Sequence, residues 1–500
     1  AEILSDMKRG PAAETVLTDA LTAATAQSGA RAGYEWGGSP ARHLLTELAA
    51  LYYKANRPQD VLDLLQNSPD WGAGDVSGLF SATPGENAVT LMWLHTGVSP
   101  LPVPYLAASA LLATGQKEAA EKINGALLDQ FPGLDRGYEL LLAINGTNAI
   151  PKLDELFKRD QFEERPLIWK AHLLREQGQL EAAEKLLRQA INIDPSDGEE
   201  GRGDRMRVYA ELAEAREARG DKKEADFYRE VVKSIRMSEQ ADQFYSAGLL
   251  KRAVAMYEEA LKHFSDAYCI QSRLAIQLAA LGLTEEAEAH YRRAYELMPD
   301  SFGRVESHCF GCEKVFDGER AQSIAEKTFT KLAEERPDKP QIHYLLGYLH
   351  QEEEHDNEAR TNYLAAVRLD PDYLNAWVKL QEVSRQVLMS PKERDTITFN
   401  ILRLDPLKRH AQPDFRTVSN LPELWKAVAA AAQQPVTGTN LLALPASKLA
   451  LEKKQKDTPD LDDYFRQVSQ ERLSPAQAVG ETPLVNLAGE MILNNGRMDE

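Results

Sequence analysis

The sequence is poor in cysteine, has no long apolar run and carries no basic surplus, and each shortage removes a class of protein. Three cysteines in 500 residues cannot build a disulfide framework, so nothing ties the chain to an oxidising compartment. No stretch of about 18 apolar residues is present to span a bilayer. The opening "AEILSDMKRG" lacks the basic-then-apolar pattern of a signal peptide. It begins on alanine, which leads to the expectation that processing or excision set the start. The formal net charge of -19 argues against a chain built to neutralise phosphates, so neither nucleic acid nor a membrane is expected as a partner. Catalytic signatures are missing as well. No phosphate-binding loop, G-x-S-x-G, H-E-x-x-H or dinucleotide fingerprint occurs, so the chain is expected to be non-enzymatic, with no cofactor and no metal.

What the chain does have is apolar material in a repeating pattern. With 43% hydrophobic and 27% charged residues it reads as a soluble, folded protein, and a cytoplasmic or a periplasmic setting fits equally. Five hundred residues are too many for one compact core, which points to several domains or an elongated array. Residues 164–195 ("ERPLIWKAHLLREQGQLEAAEKLLRQAINIDP"), 268–299 ("YCIQSRLAIQLAALGLTEEAEAHYRRAYELMP") and 340–371 ("PQIHYLLGYLHQEEEHDNEARTNYLAAVRLDP") align without gaps. Each has apolar or small residues at helical spacing, a short polar turn, a second such stretch and a closing proline, which predicts a pair of amphipathic helices.

The pattern resembles the tetratricopeptide-repeat family, whose unit is a helix-turn-helix of 34 residues. The family's small residue at position 8 is matched by Ala108, Ala171, Ala213, Ala241, Ala275 and Gly347, and its alanine at position 20 by Ala120, Ala183, Ala225, Ala253, Ala287, Ala325 and Ala359. Bulky residues at position 24 are Leu187, Tyr257, Tyr291, Phe329 and Tyr363, and a turn glycine recurs at Gly115, Gly178, Gly220, Gly248 and Gly282. Small residues let two helices approach closely while large ones fill the space around them. The resemblance implies an all-α, right-handed α-solenoid of stacked repeats.

The register divides the chain into an irregular helical region over residues 1–100, a repeat array over 101–406, a proline-interrupted stretch over 407–480, and the start of a further repeat over 481–500. That last half-unit cannot bury its own apolar face, so continuation past Glu500 is expected. Within the array, the unit at 133–163 is short and carries Pro151 in its second helix, "SDGEEGRGD" lengthens a connection, and the unit near 375–406 has Arg394 near the small position.

Cys309 and Cys312 fall at repeat positions 4 and 7, which share one helical face and usually hold packing residues, so a core role is expected. A zinc site drawing on Cys269 and His308, or a redox pair, would be the sharper alternatives. His343, His350 and His355 read as core or surface histidines, and "QEEEHDNE" as a solvated turn.

In the family, positions 2, 5, 9, 12 and 13 of each first helix face a concave groove that takes extended peptides or partner helices. Here those positions give Arg165, Ile168, His172, Arg175, Arg207, Tyr245, Phe310, Lys314, Tyr344, Tyr348, Gln351 and Asn375. Basic residues come early and aromatics late, a combination suited to an extended protein or peptide partner with acidic groups. Arg165, Arg175, Arg207, Tyr344 and Tyr348 are the expected anchors. Chaperone-tail clamps of the family place Lys at position 5 and Asn at position 9 of their first unit, which pairs such as Ile168 with His172 do not match. The implied role is a protein-interaction scaffold without catalysis, with a substrate-recruiting arm of a larger enzyme as the alternative.

Overall fold

The computed structural model describes residues 9–27, 40–66, 102–194, 204–305, 318–434, 440–443 and 447, and every regular element among them is helical. No helix of the described residues is long and apolar enough to cross a membrane. The chain divides into two compact units, the first of residues 1–158, 163–191 and 201–229, the second of 159–162, 192–200 and 230–500.

The first unit starts with α1 (Gly10–Gln27), α2 (Pro40–Lys54) and α3 (Pro58–Gln66), where Ala13 and Leu17 pack on Leu48 and Leu51. Helices α4 (Val103–Ala113), α5 (Lys117–Gln130) and α6 (Asp135–Asn145) follow, and a 3-10 turn at Gly146–Ala149 leads into α7 (Ile150–Arg159). Pro151 sits in the first turn of α7, where the N–H it lacks would have had no intrahelical acceptor. Then come α8 (Arg165–Glu176), α9 (Leu180–Ile193) and α10 (Asp204–Ala218), and α11 (Lys222–Ser246) begins in the first unit and ends in the second. Ala225 and Ala241 mark two successive repeats on α11, yet no proline separates them and the chain runs on as one 25-residue helix.

The second unit continues with α12 (Leu250–His263), α13 (Tyr268–Ala280), α14 (Thr284–Leu297), α15 (Glu319–Glu335), α16 (Pro340–Glu352), α17 (Asp356–Leu369), α18 (Leu374–Val383), α19 (Pro391–Leu404) and α20 (Leu421–Ala431). Between α14 and α15, Gly303 has φ +63°, Arg304 pairs with Asp370 at 2.6 Å, and the Tyr373 hydroxyl donates to the Phe302 carbonyl. Cys309 and Cys312 lie outside the described residues, as do Phe310, Lys314, the glycine-rich "SDGEEGRG" and the half repeat after 481.

Two devices recur through both units. The alanines at positions 8 and 20 are buried, and the large side chains at position 24, among them Tyr257, Tyr291, Phe329 and Tyr363, are fully enclosed against them. Enclosing each such ring contributes about 2–3 kcal/mol. Each tight turn also closes in one way: the residue after the turn position sends its amide back five residues, as in Gln116 to Leu111 (2.8 Å), Gln179 to Leu174 (2.8 Å), Asp221 to Arg216 (2.9 Å), Leu249 to Phe244 (2.8 Å) and Leu283 to Leu278 (2.9 Å). This closure requires a left-handed residue at the turn, and the glycines there have φ between 74° and 84°. In the unit at 340–371 the same place is taken by Glu354, with φ 60°, and His355 closes onto the His350 carbonyl at 2.7 Å.

Two buried charge clusters are held by hydrogen bonds. In the second unit Asp242 accepts from the Tyr257 hydroxyl and from Arg273 at 2.5 Å, all three enclosed. Burial and the adjacent carboxylate push the Tyr257 hydroxyl far above the usual phenol range. Near its C-terminal end, Asp405 accepts the amides of Arg409, His410 and Ala411, while His410 Nε2 lies 2.8 Å from Asp160.

Candidate functional site

In the first unit the expected basic residues are drawn together, but they face partners of their own chain. Arg165 begins α8 and is enclosed, with Glu163 at 2.6 Å and Glu164 at 3.6 Å from its guanidinium. Ile168 is buried on the same helix. The side chain of His172 reaches Glu211 through Nδ1 at 2.7 Å, and Arg175 meets the other oxygen of that carboxylate at 2.7 Å and Glu214 at 2.9 Å. Arg207, the second residue of its repeat, lies over the Trp169 ring at 4.3 Å and bonds Asp135 at 2.8 Å and Glu139 at 3.2 Å. Asp135 also accepts the Trp169 indole N–H at 2.8 Å.

These contacts set the charges. Its hydrogen bond to Glu211 holds the His172 imidazolium above the ordinary imidazole range, against partial burial. Burial works to raise the Glu211 carboxyl, but hydrogen bonds from His172 and Arg175 outweigh it and keep it below the usual range. Each of these arginines is therefore paired with carboxylates of its own chain. They do not form the uncompensated basic strip expected from the sequence, and the acidic partner inferred from that strip loses its physical basis.

The second unit holds the aromatic members. Tyr344 is fully enclosed: its ring centroid lies 5.0 Å from that of Tyr373 and its hydroxyl accepts from the Asn375 amide at 2.5 Å, so it is a core residue rather than an anchor. Asn375 is likewise buried. Tyr245 is partly exposed at the edge of the core around Tyr257 and Tyr268. Tyr348 and Gln351 remain at the surface of α16. The Lys379 ammonium of α18 lies 5.5 Å from the centre of the Tyr348 ring and 3.0 Å from Glu382, while the Gln351 amide donates to Glu382 at 3.3 Å. The Tyr363 hydroxyl donates to Gln351 Oε1 at 2.7 Å and fixes which way that amide points.

Trp169, Glu211, Lys379 and Glu382 belong to these clusters and were not among the expected residues. Trp169, Glu211 and Lys379 stand at position 6 of their first helices, where they meet the residue at position 2, 9 or 12 of a neighbouring repeat. A carboxylate at position 6, opposite cations at positions 9 and 12 of the preceding repeat, is the signal that finds Glu211; Trp169, Lys379 and Glu382 carry no such pattern.

Comparison with known proteins bears on the fold. Sequence models described as tetratricopeptide repeat match residues 238–302 and, separately, 165–197 and 340–373. Among curated proteins none matches. Solved structures similar to the chain include the human IFIT1 dimer with PPP-AAAA (14% identity, 84% of this chain and 95% of that one, TM-score 0.24). Others are the APC/C hetero-tetramer Cut9-Hcn1 (10%, 76% and 88%, TM-score 0.21) and YrrB, titled a TPR protein with an unusual peptide-binding site (18%, 45% and 95%, TM-score 0.16).

One expectation is corrected by this comparison. Nucleic acid was excluded on net charge, yet IFIT1, a similar structure, is solved with PPP-AAAA. Net charge sums over a whole chain and says nothing of the field on one face of an array, so the exclusion does not hold. The likeness itself gives this chain no ligand. The repeat matches, with the enclosed alanines, the position 24 rings and the recurring turn closure, show that this chain carries tetratricopeptide repeats.

Proposed function

We propose that the chain is a scaffold whose second unit holds an extended segment of a partner protein along its first helices, across Tyr348, Gln351, Lys379 and Glu382. Stacked repeats of this kind offer elongated binding surfaces rather than pockets for chemistry. The observation that carries the assignment is the fixed alternation of donors and acceptors beside a ring. Lys379 and Gln351 donate, Glu382 accepts, and Tyr348 supplies apolar area with a polar tip. An extended backbone presents carbonyls and amides in the same mixture, so both signs of this surface find partners. Because Tyr363 holds Gln351 in place, little side-chain freedom is lost on binding.

A photo-crosslinking amino acid at position 348, compared with one at the exposed Lys327 of α15, tests this in the source cells. Protease-sensitive adducts formed from 348 and not from 327 are expected. Adducts sensitive to ribonuclease, or equal yields from both positions, would overturn the assignment.

A further inference from the structure

The turn between α16 and α17 gathers three groups that the scaffold reading does not use. His350 lies in the last turn of α16, Glu353 follows its end, and His355 immediately precedes Asp356, the first residue of α17. Such a spacing does not share one helical face. The left-handed Glu354 and the His355 to His350 backbone bond reverse the chain between them and return the side chains to one place. One ligand atom from each of the three lies within 4.8 Å of the others, with His355 Nδ1 3.4 Å from Glu353 Oε2 and the two imidazole centres 6.3 Å apart. His343, one helical stretch earlier, is engaged at the Pro337 carbonyl instead.

We propose that His350, Glu353 and His355 bind a divalent transition-metal ion, Zn2+ in the first place. Metal–ligand distances of about 2.0–2.2 Å put neighbouring ligands of a tetrahedral ion roughly 3.3 Å apart. The present separation closes to that by rotation of the Glu353 and His355 side chains, both of which reach solvent. Two imidazoles with one carboxylate favour borderline ions such as Zn2+, Ni2+ and Cu2+ over Mg2+ or Ca2+, which prefer all-oxygen sets. Nδ1 of His350 is sheltered from solvent and makes no hydrogen bond, a state that costs free energy and that a metal on that nitrogen would relieve. Three protein ligands leave a fourth position to water or to a donor from another molecule. The ion would clasp the end of α16 to the start of α17. None of this depends on where a partner protein docks.

The test is calorimetric titration of the full chain with ZnCl2, in a Cys309→Ser, Cys312→Ser background that removes the C-x-x-C thiols as competing ligands. One Zn2+ per chain is expected, insensitive to millimolar Mg2+, with affinity reduced about tenfold or more by His355→Ala and by Glu353→Gln. His343→Ala should leave it unchanged. His355 and Glu353 are partly exposed, so these variants retain the fold, which circular dichroism confirms independently. Unaltered stoichiometry and affinity in His350→Ala, His355→Ala, or no binding by the parent chain, would overturn the proposal.

Discussion

A Cβ placed on Gly347 would stand 2.6 Å from the Tyr363 ring, which is fully enclosed and tied through its hydroxyl to Gln351. The ring has nowhere to go. Gly347→Ala is therefore expected to lose about 1–2 kcal/mol, the clash exceeding the roughly 1 kcal/mol that alanine gains over glycine in a helix. In a Tyr363→Leu background the same substitution becomes neutral or stabilising. Urea midpoints of the four proteins give the answer.

Glu354 takes the conformation that glycine takes at the equivalent turns. A side chain there is strained, so Glu354→Gly is expected to stabilise the protein by about 0.5–1 kcal/mol, the relief slightly exceeding glycine's extra chain entropy. Thermal unfolding measures it. A lower midpoint would mean that the Glu354 side chain makes a compensating interaction.

The His172–Glu211 pair predicts a pH dependence with a definite sign. His172 is held above its ordinary 6.5, so its contribution is complete below that value and is lost as pH rises through the raised one. Glu211 is held below its ordinary 4.5, so its contribution is complete above that and is lost as pH falls through the lowered value. Stability from the pair is greatest between pH 4.5 and 6.5. Urea unfolding across and above this range should show an alkaline decline that His172→Gln flattens and that Glu211→Gln also flattens. Arg175→Glu would set a third carboxylate beside Glu211 and Glu214, and should lower the unfolding midpoint whether or not any partner is present.

Removing either Asp242 or Arg273 from the enclosed group they form with Tyr257 takes away one side of a buried ion pair. Asp242→Ala is expected to cost about 3–5 kcal/mol, since the buried Arg273 then loses the Asp242 carboxylate. Arg273→Met combined with Asp242→Leu should recover much of that loss. Equilibrium denaturation of the single and double variants checks it.

The helical pairs were legible from residue types alone, because an alanine or glycine at position 8, an alanine at position 20 and a glycine at the turn are demanded by close packing and by one backbone conformation. The unbroken α11 was not expected, since the register gives two successive repeats there; no proline stands between them to end the helix. The surface was less legible. Arg165 occupies a groove position in the register, yet Glu163 and Glu164 enclose it, and Tyr344 is covered by Tyr373 and Asn375 of the following segment. Arg175 and Arg207 are neutralised by carboxylates 36 and 72 residues away. Register gives the direction of a side chain; what lies opposite depends on the neighbouring repeat. The histidines at 350 and 355 were hidden for a different reason, since a left-handed glutamate has to intervene before they meet.

The charge ties between successive repeats also constrain how such a chain can change its length over generations. Arg175 belongs to one repeat and Glu211 to the next, as Gln351 and Glu382 do farther along. Unequal recombination that excised the repeat carrying Glu211 would leave Arg175 facing the sixth position of a unit that did not evolve beside it. Equally, a duplicated unit would confront a successor that already has its partner. Repeats here are interchangeable in their alanines and turns but matched in their charges, so the order of the units is itself inherited information.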